Sequence, residues 1–381
     1  MRVISLNQPK ELVFGNNCFD NFLSYFNQSP YKRIFVVADF NVQLFVDKLT
    51  AALHFVGKQT FVIDFIKSEP TLTEFELVKK IAEENEIDAV IGLGGGSVLD
   101  VAKLVATLCY VNTPTSYFFD ANTITGRKLF LACLPTTAGT GSEVSPNAIL
   151  LDEKDNLKKG IVSSHLIPDV TYIDPVLTYT VPSFVTAATG LDAFVHCIEA
   201  YANKNSHPII DLYALQGIQL IYYNLERAYL NGKDEEARAN VALGSMYGGL
   251  CLGPVNTAAI HALAYPLGSM FKIAHGVANA MLLPHVLRVN IAAGAERYAA
   301  VAIAIGCKIA PTAIEMAEEG IQKIEELCKK LQIPEKLTSY NVFESDVPIM
   351  TDSALTIQRL LKNNLHQLTR QEIMDIYYKL L

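Results

Sequence analysis

Between Arg33 and about Asp174 the chain alternates short apolar, β-branched runs with segments of helical spacing. Ile34 to Ala38, Phe61 to Phe65, Ala89 to Leu93 and Phe130 to Leu134 are almost wholly apolar, the pattern of strands buried on both faces. Asn41 to Leu53 and Thr71 to Asn85 carry helical patterns between them. Repeated strand-helix alternation predicts a largely parallel sheet covered on both sides. Beyond about Val181 the spacing turns helical throughout and no strand pattern recurs, so the second half is predicted to be all-helical. Asp174-Pro175 and Val181-Pro182 interrupt any continuing element and mark a hinge over 175–182. The expected fold class is α/β plus all-α, in two domains over residues 1–180 and 181–381.

Composition narrows the field. A chain of 381 residues exceeds what one core usually organises. Half of its residues are hydrophobic and 18% are charged, which leaves no room for a long disordered tail. The net charge of −8 and the lack of any Lys/Arg run exclude the electrostatic footprint of a nucleic-acid binder. The seven cysteines are scattered without a C-x-x-C pair, which points to free buried thiols. Met1 to Phe14 has no continuous apolar region of the signal-peptide kind, so the protein is expected in the cytoplasm. The most apolar stretch, Ile87 to Val111, is interrupted by Gly94, Gly95, Gly96, Ser97, Asp100 and Lys103. It reads as a strand, a turn and a helix, and no membrane partner is expected.

Two loops have the makings of a nucleotide site. Gly94, Gly95, Gly96 and Ser97 stand between a buried strand and a helix start, where bare backbone N–H groups suit a pyrophosphate. The alternative is a tight turn in which Ser97 and Asp100 form a capping box and bind nothing. Pro135 to Glu143 also follows a strand and carries the hydroxyls of Thr136, Thr137, Thr140 and Ser142. Its alternative is a helix start capped by Thr140 and Glu143. Asp39 ends the first strong strand, where an acidic residue accepts from a ribose 2′-hydroxyl and repels a 2′-phosphate. That favours NAD over NADP.

The helical half holds a second constellation. Asp192 and His196 are four residues apart and share one helix face. His261 and His275 follow in apolar surroundings, and Asp192 with three imidazoles is a donor set for Fe²⁺, Zn²⁺, Co²⁺ or Mn²⁺. Each histidine alone also reads as a hydrogen-bonded core residue. Burying all of them with an aspartate costs several kcal/mol unless a cation pairs with them. His54, His165, His207 and His366 lack such a setting, while His285, after Pro284, reads as a bystander near the site.

These segments together resemble the iron-containing (group III) alcohol dehydrogenases, whose relatives include lactaldehyde reductase and glycerol dehydrogenase. Gly94 to Lys103, Leu134 to Glu143, Gly190 to His196 and His275 to Asn279 match signature segments in family order. The resemblance implies a Rossmann-like NAD-binding domain over 1–180 and an all-helical, metal-binding catalytic domain over 181–381, as in dehydroquinate synthase-like folds. It implies Asp192, His196, His261 and His275 as ligands of Fe²⁺ or Zn²⁺. It implies Gly95, Gly96, Ser97, Asp100, Thr136, Thr137, Thr140, Ser145 and Lys158 at the dinucleotide, with Asp39 at the ribose. Asn147 resembles a residue lining the substrate pocket. Many members carry a histidine four residues after the third ligand; here Tyr265 stands there, a phenol able to relay a proton or stack beside nicotinamide. Pro254 to Thr257, ahead of His261, is a further variation at the pocket. The implied function is hydride transfer between a small alcohol or diol and NAD, or reduction of the corresponding aldehyde. Alternatives are a glycerol or polyol dehydrogenase, a dehydroquinate synthase-like metal-dependent lyase, and a non-catalytic nucleotide-sensing or structural protein that retains the fold. The family also suggests a homodimer, with Met1 to Val13 as an interface strand.

Overall fold

The computed structural model describes residues 2–67, 69–119, 124–155 and 157–381. The chain divides into two compact units, one of residues 6–181 and one of residues 1–5 with 182–381.

The first unit is built on a six-stranded, all-parallel sheet. Its strands are β1 (Glu11–Phe14), β2 (Arg33–Ala38), β3 (Gln59–Ile63), β4 (Ala89–Gly94), β5 (Phe130–Pro135) and β8 (Val170–Ile173), in the spatial order β1-β8-β5-β4-β2-β3. β6 (Asn147–Asp152) and β7 (Leu157–Val162) form a separate antiparallel ribbon. The helices are α1 (Cys18–Asn27), α2 (Gln43–Phe55), α3 (Leu72–Glu84) and α4 (Gly96–Leu108). Strand side chains alternate between faces. Ile34, Val36, Ala38, Ile91 and Leu93 therefore enter one core with Phe22 of α1 and Leu49 of α2. Phe35, Val37 and Val90 enter the other with Phe75 of α3 and Val101 of α4. Each such Val, Leu, Ile or Phe contributes about 1.5–3 kcal/mol on burial, which is why the central strands read as unbroken apolar runs.

The parallel order reverses between β2 and β4, since β2 continues outward to β3 while β4 continues to β5. The carboxyl ends of strands at such a reversal form a crevice suited to a ligand. Glu11–Phe14 is an edge strand of the chain's sheet, paired in parallel with β8.

The second unit is helical: α5 (Ser183–Tyr201), α6 (Pro208–Leu230), α7 (Glu235–Leu252), α8 (Ala259–Phe271), α9 (His275–Ala304), α10 (Ala313–Lys330), α11 (Val347–Thr356), α12 (Gln358–Leu361) and α13 (Arg370–Lys379). α5 packs against α6, α7 and α9. From Thr186 to Tyr201 every residue of α5 except Thr189 is buried, so polar groups on this helix lie inside the core. All seven cysteines are free and buried.

Candidate functional site

In the helical unit, α5 presents Asp192, His196 and Glu199, spaced four and three apart, from its buried face. α8 brings His261 from its first turn, and α9 begins at His275. Nε2 of His261, His275 and His196 lies 3.6, 3.8 and 3.9 Å from the same oxygen, Oδ1 of Asp192. The His196 and His261 rings stack with centroids 4.7 Å apart. One donor atom each from Asp192, His261 and His275 falls within 4.8 Å of the others.

The backbone makes this approach feasible at Gly276. A Cβ there would stand 2.0 Å from the Ala188 carbonyl oxygen of α5, so only glycine lets the first turn of α9 come that close. Glu199 then orders the far side of His261. Its Oε2 lies 2.6 Å from His261 Nδ1 and accepts from Ala258 N at 2.9 Å, while Oε1 accepts from Ile260 N at 2.6 Å. A carboxylate at Nδ1 fixes the proton on that nitrogen and leaves Nε2 facing Asp192.

Burial alone would raise the Asp192 carboxyl, yet His196 and His275, with His261 hydrogen-bonded beside them, hold it well below the usual carboxylate range. Burial works against a charged His261, but Glu199 and Asp192 push it up to about 10, so a cation taken up at Nε2 displaces a proton. The donor set fits a divalent metal: Asp192, His261 and His275 each offer one atom to a common cluster, and His196, outside that cluster of three, keeps its Nε2 3.9 Å from Asp192 Oδ1. Tyr265, one turn after His261, has its ring 6.1 Å from that of His275, and its hydroxyl accepts from Arg359 Nη2 at 2.9 Å.

The α/β unit assembles a different site at the carboxyl ends of β2, β4 and β5. Asp39 N donates to Leu93 O at 2.9 Å and Thr136 N to Gly94 O at 3.0 Å, which sets three loops side by side. A Cβ on Gly96 would lie 2.4 Å from Thr140 Cγ2, and one on Gly95 would lie 3.3 Å from Thr137 Oγ1. Asp39, Gly95, Gly96, Ser97, Thr136, Thr137 and Thr140 thus come from adjoining loops. Asp39 Oδ1 accepts from Asn41 N at 2.8 Å and Asn41 Nδ2 at 2.9 Å, which fixes the carboxylate at the end of β2.

Other expected residues sit differently. Ser97 and Asp100 make no capping box, because Gly95 is the N-cap of α4 and Asp100 accepts from Ser142 Oγ and from Ile149 N at 2.9 Å. Nor does the second loop start a helix: after a turn at Gly141 to Val144 it enters β6. Lys103, fully buried, donates to Ser142 O at 2.9 Å, Ser142 Oγ at 3.0 Å and Asn147 O, with Ser145 Oγ at 3.5 Å. Burial lowers the Lys103 ammonium and raises the Asp100 carboxyl, and each partly offsets the other's shift. Asp100, Lys103 and Ser145 therefore bind the second loop to α4. Lys158 lies on β7 in an ion pair with Glu69. Asn147 begins β6, and its buried Oδ1 has no hydrogen-bond partner among the described residues. His285 lines a cavity of about 270 Å³ with Glu325, Lys329, Lys336 and Lys379.

Glu199 and Lys103 received no role in the sequence reading. The 4 + 3 spacing of Asp192, His196 and Glu199 was the available signal for the first, whereas Lys103 acquires its partners only through the fold.

Comparison with known proteins places these sites in context. Residues 9–175 match the family model of iron-containing alcohol dehydrogenases, and residues 186–381 match the C-terminal model of the Fe-containing alcohol dehydrogenase family. The chain is 35% identical to long-chain-alcohol dehydrogenase 1 of Geobacillus thermodenitrificans, over 99% of this chain and 96% of that protein. It is 34% identical to the 1,3-propanediol dehydrogenase of Klebsiella pneumoniae, over 81% and 80%. Among solved structures, a 1,3-propanediol oxidoreductase superposes with a TM-score of 0.95 at 30% identity, covering 100% of both chains. Sulfoacetaldehyde reductase from Bifidobacterium kashiwanohense, in complex with NAD⁺, superposes with a TM-score of 0.90 at 27% identity, over 100% and 99%.

Proposed function

The chain belongs to the iron-containing alcohol dehydrogenase family, and from that premise we propose that it interconverts a small alcohol or diol and its aldehyde with NAD, using a divalent metal held by Asp192, His196, His261 and His275. The observation that carries this reading is the convergence of three imidazole Nε2 atoms on one oxygen of Asp192. When bound, the ion supplies a Lewis acid for the substrate oxygen and the nicotinamide exchanges the hydride.

The chain's own residues have distinct tasks. Glu199 keeps the His261 proton on Nδ1, and Gly276 seats His275 against α5. In the α/β unit, taken as the dinucleotide-binding domain, Gly95, Gly96, Ser97, Thr136, Thr137 and Thr140 offer N–H and hydroxyl donors to phosphates at the switch in strand order. Asp39 accepts from the adenosine ribose and disfavours a 2′-phosphate. Lys158 is assigned to the dinucleotide as well; Asp100 and Ser145 support the loop that binds it. Tyr265, its hydroxyl held by Arg359, relays the proton at Oη, and the unpaired Oδ1 of Asn147 accepts from a substrate hydroxyl.

A diol is a specific second reading, supported by the likeness to 1,3-propanediol enzymes in both sequence and structure. Fe²⁺ and Zn²⁺ both suit the donor set, with Fe²⁺ favoured by the family. A cytoplasmic location is supported by seven unpaired buried thiols. No helix among the described residues is long and apolar enough to cross a membrane. A homodimer is supported by the edge position of β1, which among the described residues pairs with β8 alone.

The test is an NAD-linked screen of short alcohols, diols and aldehydes alongside metal analysis of protein purified without added metal. Turnover with about one equivalent of Fe or Zn is expected. No nicotinamide redox change with any substrate would overturn the reading.

A further inference from the structure

Arg359, on α12, is half-buried and packs towards α8, the helix that carries His261. Its Nη2 donates to Tyr265 Oη at 2.9 Å, and its guanidinium carbon stands 5.8 Å from the centre of the Tyr265 ring. That ring lies 6.1 Å from the ring of His275, and Tyr265 itself is one turn after His261. Two contacts therefore lead from the guanidinium to the donor cluster of Asp192, His261 and His275.

A guanidinium keeps its charge at every working pH, and one withdrawn from water is ordinarily matched by a carboxylate. Among the described residues Arg359 meets none: the phenol is a neutral acceptor and leaves most of the N–H donors without a protein partner. Asp352 and Glu372, the nearest acidic residues along the chain on either side, face Arg370 and His366 instead. Lys362, three residues after Arg359, adds further positive charge. The planar fork of a guanidinium matches the two oxygens of a carboxylate, so this place suits an anionic group that the chain does not itself supply.

We propose that Arg359 is a specificity-determining residue for a substrate that carries a carboxylate. The substrate class is a short aldehyde acid, or the hydroxy acid formed from it, with its reacting oxygen at the metal-donor cluster and its carboxylate on the guanidinium. The inference rests on the dehydrogenase reading above and narrows its substrate. In the reducing direction NADH gives a hydride to the carbonyl carbon and a proton joins the carbonyl oxygen, which yields NAD⁺ and the hydroxy acid with the carboxylate unchanged. The competing role is that of a positioning residue, in which Arg359 only holds Tyr265 Oη and charged and neutral aldehydes depend on it alike.

The test measures kcat/KM for NADH-linked reduction of succinic and adipic semialdehyde against the chain-matched neutral aldehydes, butanal and hexanal. Metal-loaded, full-length wild type, Arg359→Gln and Arg359→Lys are compared. Wild type is expected to favour at least one acid over its neutral counterpart by about tenfold or more. Arg359→Gln should lose that preference through a higher KM for the acid, and Arg359→Lys should keep part of it. Binding without turnover gives a second readout: succinate or adipate should raise the melting temperature of wild type and not that of Arg359→Gln. Equal losses for charged and neutral aldehydes in Arg359→Gln, or equal stabilisation of both proteins by the dicarboxylates, overturn the proposal. Should that variant not fold, the wild-type ratio decides, and neutral aldehydes reduced as well as the acids overturn it. In that case the dehydrogenase reading stands, whereas wild type that turns over no alcohol or aldehyde sinks the reading and this inference with it.

Discussion

Oε2 of Glu199 lies 2.6 Å from Nδ1 of His261, while the same carboxylate accepts from the backbone N–H groups of Ala258 and Ile260. One buried side chain thus fixes both the imidazole tautomer and the first turn of α8 that carries it. Glu199→Ala is expected to weaken Zn²⁺ binding about 10–100-fold, the usual loss when the partner of a ligating histidine is removed. It should also destabilise the fold by about 2–4 kcal/mol, because two amides lose their acceptor. Metal titration and chemical denaturation measure the two effects separately. Undiminished Zn²⁺ affinity would show that Glu199 does not orient His261.

Lys103 is expected to act on the nucleotide site through the second loop. Lys103→Met leaves the Asp100 carboxylate buried without its cation, a change that costs about 3–5 kcal/mol. The loop from Thr136 to Asn147 also loses the donor to Ser142 and Asn147, so NAD should bind more weakly. Adding Asp100→Asn should recover part of the stability, making the double variant less unstable than the sum of the singles. Strict additivity in denaturation curves would contradict the coupling.

Asp39 is held at the end of β2 by the backbone and side chain of Asn41. Asp39→Gly removes the charge that opposes a 2′-phosphate, so the preference for NADH over NADPH, taken as the ratio of kcat/KM values, should fall by about tenfold or more. An unchanged ratio would remove Asp39 from the cofactor site.

Glu143 gives a pH prediction with a definite sign. Burial raises its carboxyl from 4.5 to about 7, despite opposing effects from its own backbone N–H and from Lys103. The folded state therefore holds a proton that the unfolded chain releases between about pH 4.5 and 7, and stability falls as pH rises through that window. Glu143→Gln should match wild type near pH 4.5 and exceed it above pH 7 by an amount of order 1–3 kcal/mol. Thermal unfolding across this range checks it, and a constant offset at every pH would contradict the assignment.

The fold was legible where burial is two-sided. β2, β4 and β5 read directly because nearly every residue in them is apolar. β3 was displaced by two residues, since Phe65 extended the apolar run past its pairing with β2, which ends at Ile63. β1 and β8 have four residues each, and β7 carries Lys158 and Lys159, so none offered a pattern long or apolar enough to stand out. In the site, Asp192 with His196 was readable from helical spacing. The arrival of His261 and His275 at the same oxygen depends on how α8 and α9 pack on α5, which periodicity does not encode. Asp100 illustrates the converse: its place in a glycine-rich segment suggested the cofactor, while its partners, Ser142 and Ile149, lie more than 40 residues downstream.

The central claim is that Asp192, His196, His261 and His275 hold the metal on which turnover depends. Wild-type protein and His261→Ala are stripped with a chelator, given one equivalent of Fe²⁺ or Zn²⁺ without oxygen, and assayed for NADH oxidation with a short aldehyde while bound metal is counted. Wild type should lose activity on stripping and regain it with the metal, and His261→Ala should recover neither. Full NADH oxidation by His261→Ala with no metal bound would contradict the account.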